Sequence, residues 1–274
     1  MLLNCQIAMM GQEKRENDDD IVYTILYNNT SINDSIIADH GFSCLIESGD
    51  FSLLFDVGRK SDKFIANASK LDMNLSKINH VFISHIHDDH MGGIFDILAK
   101  CNKPALYMPF SYPEMPGEPL GEKADRDFKT MLEKLNPFVS QIIQNKEPDQ
   151  IDDKFFTTGI IEEQTYEHGL IVPTSEGLVI ITGCAHPGIL EIVKRAKDLM
   201  KQNIYFVMGG FHLISTDTPQ VQDVAQELRK LTKYIGPCHC TGEEAQGILK
   251  DIFMEDYIDL QAGMKLRQRE GKLK

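Results

Sequence analysis

No run of 18 or more apolar residues occurs in the 274-residue chain, which excludes an ordinary membrane-spanning helix. Basic residues are in deficit, 28 Lys and Arg against 41 Asp and Glu, and the net charge is −13. Such a surface repels a polyphosphate backbone, and no basic patch appears before the tail, so nucleic acid is not an expected partner. The tail itself, Lys265-Leu-Arg-Gln-Arg-Glu-Gly-Lys-Leu-Lys274, reads as a solvated terminus. Cysteines are few and irregularly placed, at Cys5, Cys44, Cys101, Cys184, Cys238 and Cys240, which is no disulfide framework. An export signal is missing as well: Asn4 and Gln6 break the apolar start, and a charged run from Gln12 to Asp20 follows. The expectation is a cytoplasmic protein with free thiols and a flexible leader over residues 1–20. No short fixed period recurs, which argues against solenoids and propellers.

What is present is an alternation of strand and helix patterns in an ordinary globular composition, 42% hydrophobic and 25% charged. Residues 21–27, 42–47 and 51–57 read as strands, 61–71 as a helix with Phe64, Ile65, Ala68 and Leu71 on one face, and 80–84 as a buried strand. The second half repeats this logic: strands over 177–182 and 203–208, helices over 187–201 and 221–231, and a short strand before His239. Thr241-Gly-Glu-Glu244 has the form of a capping box opening a last helix. Between the halves, six prolines from Pro109 to Pro148 surround a polar helix near 125–135. These patterns predict one α/β domain over 21–274 with an insertion at about 109–150 lying across one end, and with its chemistry at the C-terminal ends of strands.

Three of the nine histidines fall within six residues, His85-Ile86-His87-Asp88-Asp89-His90, directly after a strand. Imidazole and carboxylate suit zinc, iron or manganese. Extended backbone would send His85, His87 and Asp89 to one side, with His90 turning in as the chain bends, so that two adjacent ions each receive two ligands. Gly92-Gly93 then lets the backbone turn closely into a helix. Further ligands must come from later in the chain. His186 lies in Thr182-Gly-Cys-Ala-His-Pro-Gly188, and His239 in Pro237-Cys-His-Cys-Thr-Gly242. If the latter is extended, period two puts His239 on one face and Cys238 and Cys240 on the other as packing; a Cys-x-Cys metal clip is the alternative. Cys184 is open between a thiolate ligand and a buried packing thiol. His212, in Gly209-Gly-Phe-His-Leu213, is open between ligand, substrate contact and core histidine. His40, before a strand, is expected as a pocket contact, and His80 as structural.

Strand–His-x-His-x-Asp-His–Gly-Gly, preceded by Leu53-Leu-Phe-Asp-Val-Gly58, resembles the signature of the metallo-β-lactamase superfamily over about residues 21–263. The resemblance implies a four-layer αββα sandwich, with His85 and His87 in one metal site and Asp89 and His90 in the other. Cys184 stands where the superfamily usually has a bridging aspartate. His168 stands roughly where many members place a first-site histidine, but its surroundings lack the histidine-threonine/serine-x-glycine form, which ranks it below His186. Together with His40-Gly-Phe-Ser43 and Gly209-Gly-Phe-His-Leu213, these motifs look like a branch that includes archaeal dihydropterin-methyl-ribofuranosylaminobenzene 5′-phosphate synthases.

The resemblance thus implies two divalent ions, zinc before iron or manganese, activating water against an ester or phosphoester of a small molecule, phosphorylated or pterin-like. Asp89 or His186 would orient the nucleophile, His40 and His212 would touch substrate, and Asp56 would anchor a ligand imidazole. A pterin transferase and a non-catalytic metal-binding protein are the alternatives.

Overall fold

The computed structural model describes residues 20–110, 122–152, 155–161, 165–269 and 272–273. Residues 1–19 of the expected leader and 111–121 of the expected insertion lie outside them. The first sheet starts with three antiparallel strands, β1 (Ile21–Tyr27), β2 (Ser43–Ser48) and β3 (Phe51–Phe55). Strands β4 (His80–Phe82), β5 (Ala105–Tyr107) and β6 (Gln141–Ile143) add to β3 in parallel. The intervening helices are α1 (Ser61–Lys70), the short α2 (Asp88–Met91) and α3 (Ile94–Leu98), and α4 (Glu122–Leu135). Helix α4 thus lies in the crossover from β5 to β6, within the span expected as an insertion.

The second sheet runs β7 (Asp149–Ile151), β8 (Phe155–Thr157), β9 (Leu170–Thr174) and β10 (Gly177–Thr182) as antiparallel neighbours. Helices α5 (Ile189–Met200) and α6 (Thr218–Leu231) carry the chain to the parallel strands β11 (Ile204–Gly210) and β12 (Thr232–Cys238). After α7 (Glu243–Phe253) the chain returns to the first sheet as β13 (Lys265–Arg269), paired antiparallel with β1, and β14 (Lys272–Leu273). The basic tail is therefore not simply a solvated terminus. Its alternate residues Leu266 and Gln268 are buried against the sandwich while Lys265 and Arg267 face water.

Period-two alternation builds the layers. Tyr23, Ile25, Leu53 and Phe55 face inward to meet Val179, Ile181, Phe206 and Met208 between the sheets. Their neighbours Leu26 and Leu54 face outward to Phe64, Ala68, Ile94 and Ile97. Leu178 and Ile180 face outward to Ile192, Val193, Ala225 and Leu249. Three apolar seams between four layers make the expected αββα sandwich, and they explain why the central strands read as continuous apolar runs. No helix among the described residues is long and apolar enough to cross a membrane.

Helix boundaries shift for local reasons. Asp217 accepts the Gln220 N–H at 2.9 Å, and Pro219 occupies the first turn, so α6 begins three residues before the apolar pattern does. Gly188 sits at φ +94, outside the helical region, so α5 begins at Ile189 and not at Pro187. The capping box is a correction. Thr241 donates to Cys238 O and accepts from Phe211 N, and α7 starts from Gly242 without a side-chain cap.

Register brings the strand ends to one level. Thr182 is opposite Gly209, and Gly210 opposite Cys238, so Cys184, His212 and His239 all emerge just past the same edge. In the other sheet Phe55 is opposite Phe82, which places Asp56 beside Ser84 and His85. That shared C-terminal edge is where an open α/β sheet holds its site.

Candidate metal centre

The seven residues expected to hold metal converge at that edge in two groups, each with its ligand atoms within 4.8 Å of one another. His85, His87 and His186 form one; Asp89, His90, Cys184 and His239 form the other; and Cys184 and His186 also make a third group with His212, which keeps the ligand reading of His212 open. The imidazole centroids of His85 lie 4.2 Å from His90 and 4.8 Å from His186, so the groups adjoin. Two local expectations are corrected. Backbone alternation does not extend to Asp89, because α2 begins at Asp88 and a helical turn delivers Asp89 and His90. Residues 239–241 form a 3-10 turn, in which successive side chains rotate by about 120° rather than 180°. Cys238 therefore packs between the sheets as expected, whereas Cys240 swings to the site and its thiol approaches Cys184 O at 3.4 Å.

Hydrogen bonds at Nδ1 aim three imidazoles. His90 Nδ1 donates to Asp56 Oδ2 at 2.7 Å, His85 Nδ1 to Ser84 Oγ at 2.9 Å, and His239 Nδ1 to Asn29 Oδ1 at 3.0 Å. Asp56 is a hub, accepting also the Ser84 N–H at 2.7 Å and the Ser84 hydroxyl at 2.8 Å. With Nδ1 committed, each Nε2 keeps a lone pair. His90 Nε2 stands 3.2 Å from both Cys184 Sγ and His239 Nε2, and Asp89 Oδ2 is 3.1 Å from His239 Nε2. The Nε2 atoms of His85 and His186 are buried and have no hydrogen-bond partner among the described residues. Buried polar atoms without partners are costly in a folded protein, and a cation is the partner that imidazole, carboxylate and thiol donors together suit.

Electrostatics agree for the imidazoles and for Asp89, while burial and the hydrogen bond with Cys240 push the Cys184 thiol well above its ordinary value. Burial, with neighbouring imidazoles, pushes His90 and His186 down to about 3 and His85 well below its ordinary value. All three are neutral at pH 7, the state that binds a cation. Burial works to raise Asp89, but the His239 hydrogen bond and the nearby His90 hold its carboxyl below the usual range. Among the described residues, four of the nine non-glycine residues with positive φ lie here: Asp56, Ala185, His212 and His239, between +50 and +61. Such conformations cost about 1–3 kcal/mol each and persist where surrounding contacts impose them.

The remaining candidates take outer places. His40 is half-exposed, with Nε2 3.1 Å from Asp89 Oδ2 and its ring 4.7 Å from that of His239. His212 is exposed beside His186, their centroids 4.3 Å apart. His186 and His212, but not His40, line an open cleft of about 450 Å³ between the start of α5 and α6, with apolar walls from Ile189, Phe211 and Val224. His168 is outside both groups, its Nε2 donating to Ile83 O at 2.8 Å and its Nδ1 accepting from Thr157. His80 stacks on Phe51 and meets Asp152 at the opposite end of β4. Sequence reasoning missed Asn29, Ser84 and Glu167 as supporting residues, and it placed Cys240 as packing, with a Cys-x-Cys clip as the alternative.

Ser84 offers a direct check on this support. Ser84→Ala removes the acceptor of His85 Nδ1 and a donor to Asp56 while leaving the fold's apolar seams untouched. Losing such an outer partner is expected to weaken any divalent-cation binding at the site about 10- to 100-fold, measured by chelator competition. Unchanged affinity would remove Ser84 from the support.

A family model described as the metallo-beta-lactamase superfamily matches residues 37–192, more than half of the chain. A Methanocaldococcus jannaschii protein named 7,8-dihydropterin-6-methyl-4-(beta-D-ribofuranosyl)-aminobenzene-5'-phosphate synthase is 30% identical over 279 residues, spanning 88% of this chain and 94% of its own. Tm1679, a metal-dependent hydrolase of the beta-lactamase superfamily, superposes with a TM-score of 0.71 at 28% identity, over 90% of this chain and 98% of that one. YhfI from Bacillus subtilis, a metallo-beta-lactamase fold protein, gives 0.62 at 14% identity over 90% and 99%, a likeness of fold. Match, layers and histidine-rich edge agree: the chain belongs to the metallo-beta-lactamase superfamily.

Proposed function

We propose that the protein is a hydrolase of a small-molecule ester or phosphoester, working with two divalent cations. The observation that carries this reading is the pair of adjoining donor groups in which the buried His85 and His186 Nε2 atoms have no other partner among the described residues. His85, His87 and His186 would hold one cation, and Asp89, His90, Cys184 and His239 the other. Thiolate and imidazole together favour zinc, with iron or manganese as the alternatives. When bound, such ions supply Lewis acidity and hydroxide at neutral pH.

The protein's own groups do the rest. Asp89 Oδ2, kept ionised, accepts a hydrogen bond from the attacking water and orients it. His40, hydrogen-bonded to the same oxygen, fixes its direction. His186 borders both the first donor group and the cleft, so a substrate held against Phe211 and Ile189 presents its reacting group to that edge. His212, on the cleft wall, contacts the substrate beside the leaving group. The apolar walls favour a flat organic body, and their low polarity keeps competing water away from it.

The 30% identical relative named a synthase supports a second reading, transfer to an amine. Zinc-loaded protein screened with phosphodiesters, lactones, thioesters and pterin phosphates in ¹⁸O-water separates the two. Hydrolysis places one ¹⁸O in the product and needs no amine. Product that forms only with an arylamine present and carries no solvent oxygen would replace the hydrolase reading with transfer.

A further inference from the structure

Glu167 is fully buried just before β9, on a segment that contributes no donor to either group. Its carboxylate nevertheless takes three successive backbone N–H groups of the turn after β10. Oε1 accepts from Cys184 at 2.9 Å and Ala185 at 2.8 Å, and Oε2 accepts from His186 at 2.8 Å. Three convergent N–H groups in a turn with one left-handed residue form an anion-binding nest, and Ala185 is that residue, at φ +61. Here the anion belongs to the protein.

The turn matters because Cys184 belongs to the second group and His186 to the first, one on each side of Ala185, and the two residues also meet in the third group with His212. A carboxylate gripping all three N–H groups fixes where Cys184 Sγ and His186 Nε2 lie relative to each other. We propose that Glu167 is a positioning residue that sets the spacing between the two cation positions; this rests on the two-cation reading above. No other carboxylate is recorded on these N–H groups among the described residues. His168, one position later, spends both ring nitrogens on Ile83 and Thr157 and helps hold β9 in place. The segment that resembles a first-site histidine motif thus supports the site through its glutamate and leaves ligation to His186.

An amide in place of the carboxylate discriminates well. Gln has the same shape, but its NH₂ would face one of the three N–H donors, so at least one bond is lost and the turn is pushed away. The full-length protein, Glu167→Gln and Glu167→Asp are to be titrated with Co(II), following uptake, the thiolate-to-cobalt absorption and magnetic coupling between the two ions. Wild type is expected to take up two coupled ions. Glu167→Gln is expected to bind about 10- to 100-fold more weakly and to lose the coupling, with partial recovery in Glu167→Asp, which keeps both oxygens. His168→Asn serves as the structural control, expected to lower Tm with coupling retained.

Wild-type coupling and affinity in Glu167→Gln would overturn the proposal while leaving the two-cation reading intact. Should Glu167→Gln fail to fold, unchanged coupling in Glu167→Asp, whose shorter arm cannot reach all three donors from the same place, would overturn it equally. Failure of the wild-type protein to take up cobalt would instead sink the two-cation reading itself.

Discussion

His87→Ala is expected to yield a folded protein that retains less than one full complement of zinc and turns substrate over about 10³-fold more slowly. Among the imidazoles of the first donor group, His87 can be removed with least harm to the fold. Its ring is only half-buried and its nitrogens make no hydrogen bond among the described residues, whereas His85 is fully enclosed and bonded to Ser84. Truncation therefore opens no internal void, and Tm of the metal-free protein should stay within a few degrees of wild type. The activity loss is large because a cation bound there is worth several kcal/mol of charge stabilisation, and about 4 kcal/mol is a factor of 10³ in rate. Elemental analysis and turnover measured on one preparation give the check. His80→Ala, a histidine at the far end of β4 stacked on Phe51, is the matched control and should leave both values unchanged. Wild-type metal content and turnover in His87→Ala would dissolve the first donor group as a functional unit.

The split between local and distant donors explains how much of the site the sequence reveals. His85, His87, Asp89 and His90 are legible because they lie within six residues after an apolar strand. His186 and His239 are legible because each follows a strand, and register then carries their strands to a common level. What escapes is support that crosses the chain. Asn29 reaches His239 across 210 positions, and Glu167 reaches the turn at 184–186 across 17 to 19, with no periodic pattern marking either. Cys240 is misplaced by the alternation rule because a 3-10 turn intervenes.

The fold divides in the same way. Strands β1, β3 and β10, buried on both faces, stand out as apolar runs. Of the three-residue strands, β4 is legible as part of an apolar run, whereas β5, β6, β7 and β8 are too short to show a period, and β9 contains Pro173, which demotes it on sequence grounds. In β13 the charge of Lys265 and Arg267 masks the buried alternation of Leu266 and Gln268. Local chemistry is thus readable from the chain, while the parts that depend on partners brought from far away are not.

Gly183→Ala is the second change expected to have a large effect, because no room exists for a methyl group at the point where the two halves of the site meet. A Cβ there would collide with Ser84 Oγ and would lie 2.8 Å from Ser84 Cβ and 3.0 Å from His85 Nδ1. Ser84 cannot simply rotate away, since its hydroxyl is held between Asp56 Oδ2 and His85 Nδ1. Either the strand ends separate or the Ser84 network breaks. Overpacking of this kind costs about 2–3 kcal/mol, or roughly 5–10 °C in Tm for a chain of this size, and zinc affinity should fall with it. The double variant Ser84→Gly/Gly183→Ala tests the cause. Removing the Ser84 side chain relieves the clash, so part of the lost stability should return, less about 1 kcal/mol for the added glycine. Affinity should not return, because the acceptor of His85 Nδ1 is still missing. A coupling of about 1–2 kcal/mol between the two changes is the expected signature of direct contact. If Tm losses simply add, the two residues do not meet as described, and the sandwich edge that aligns both donor groups must be held by something other than this glycine contact.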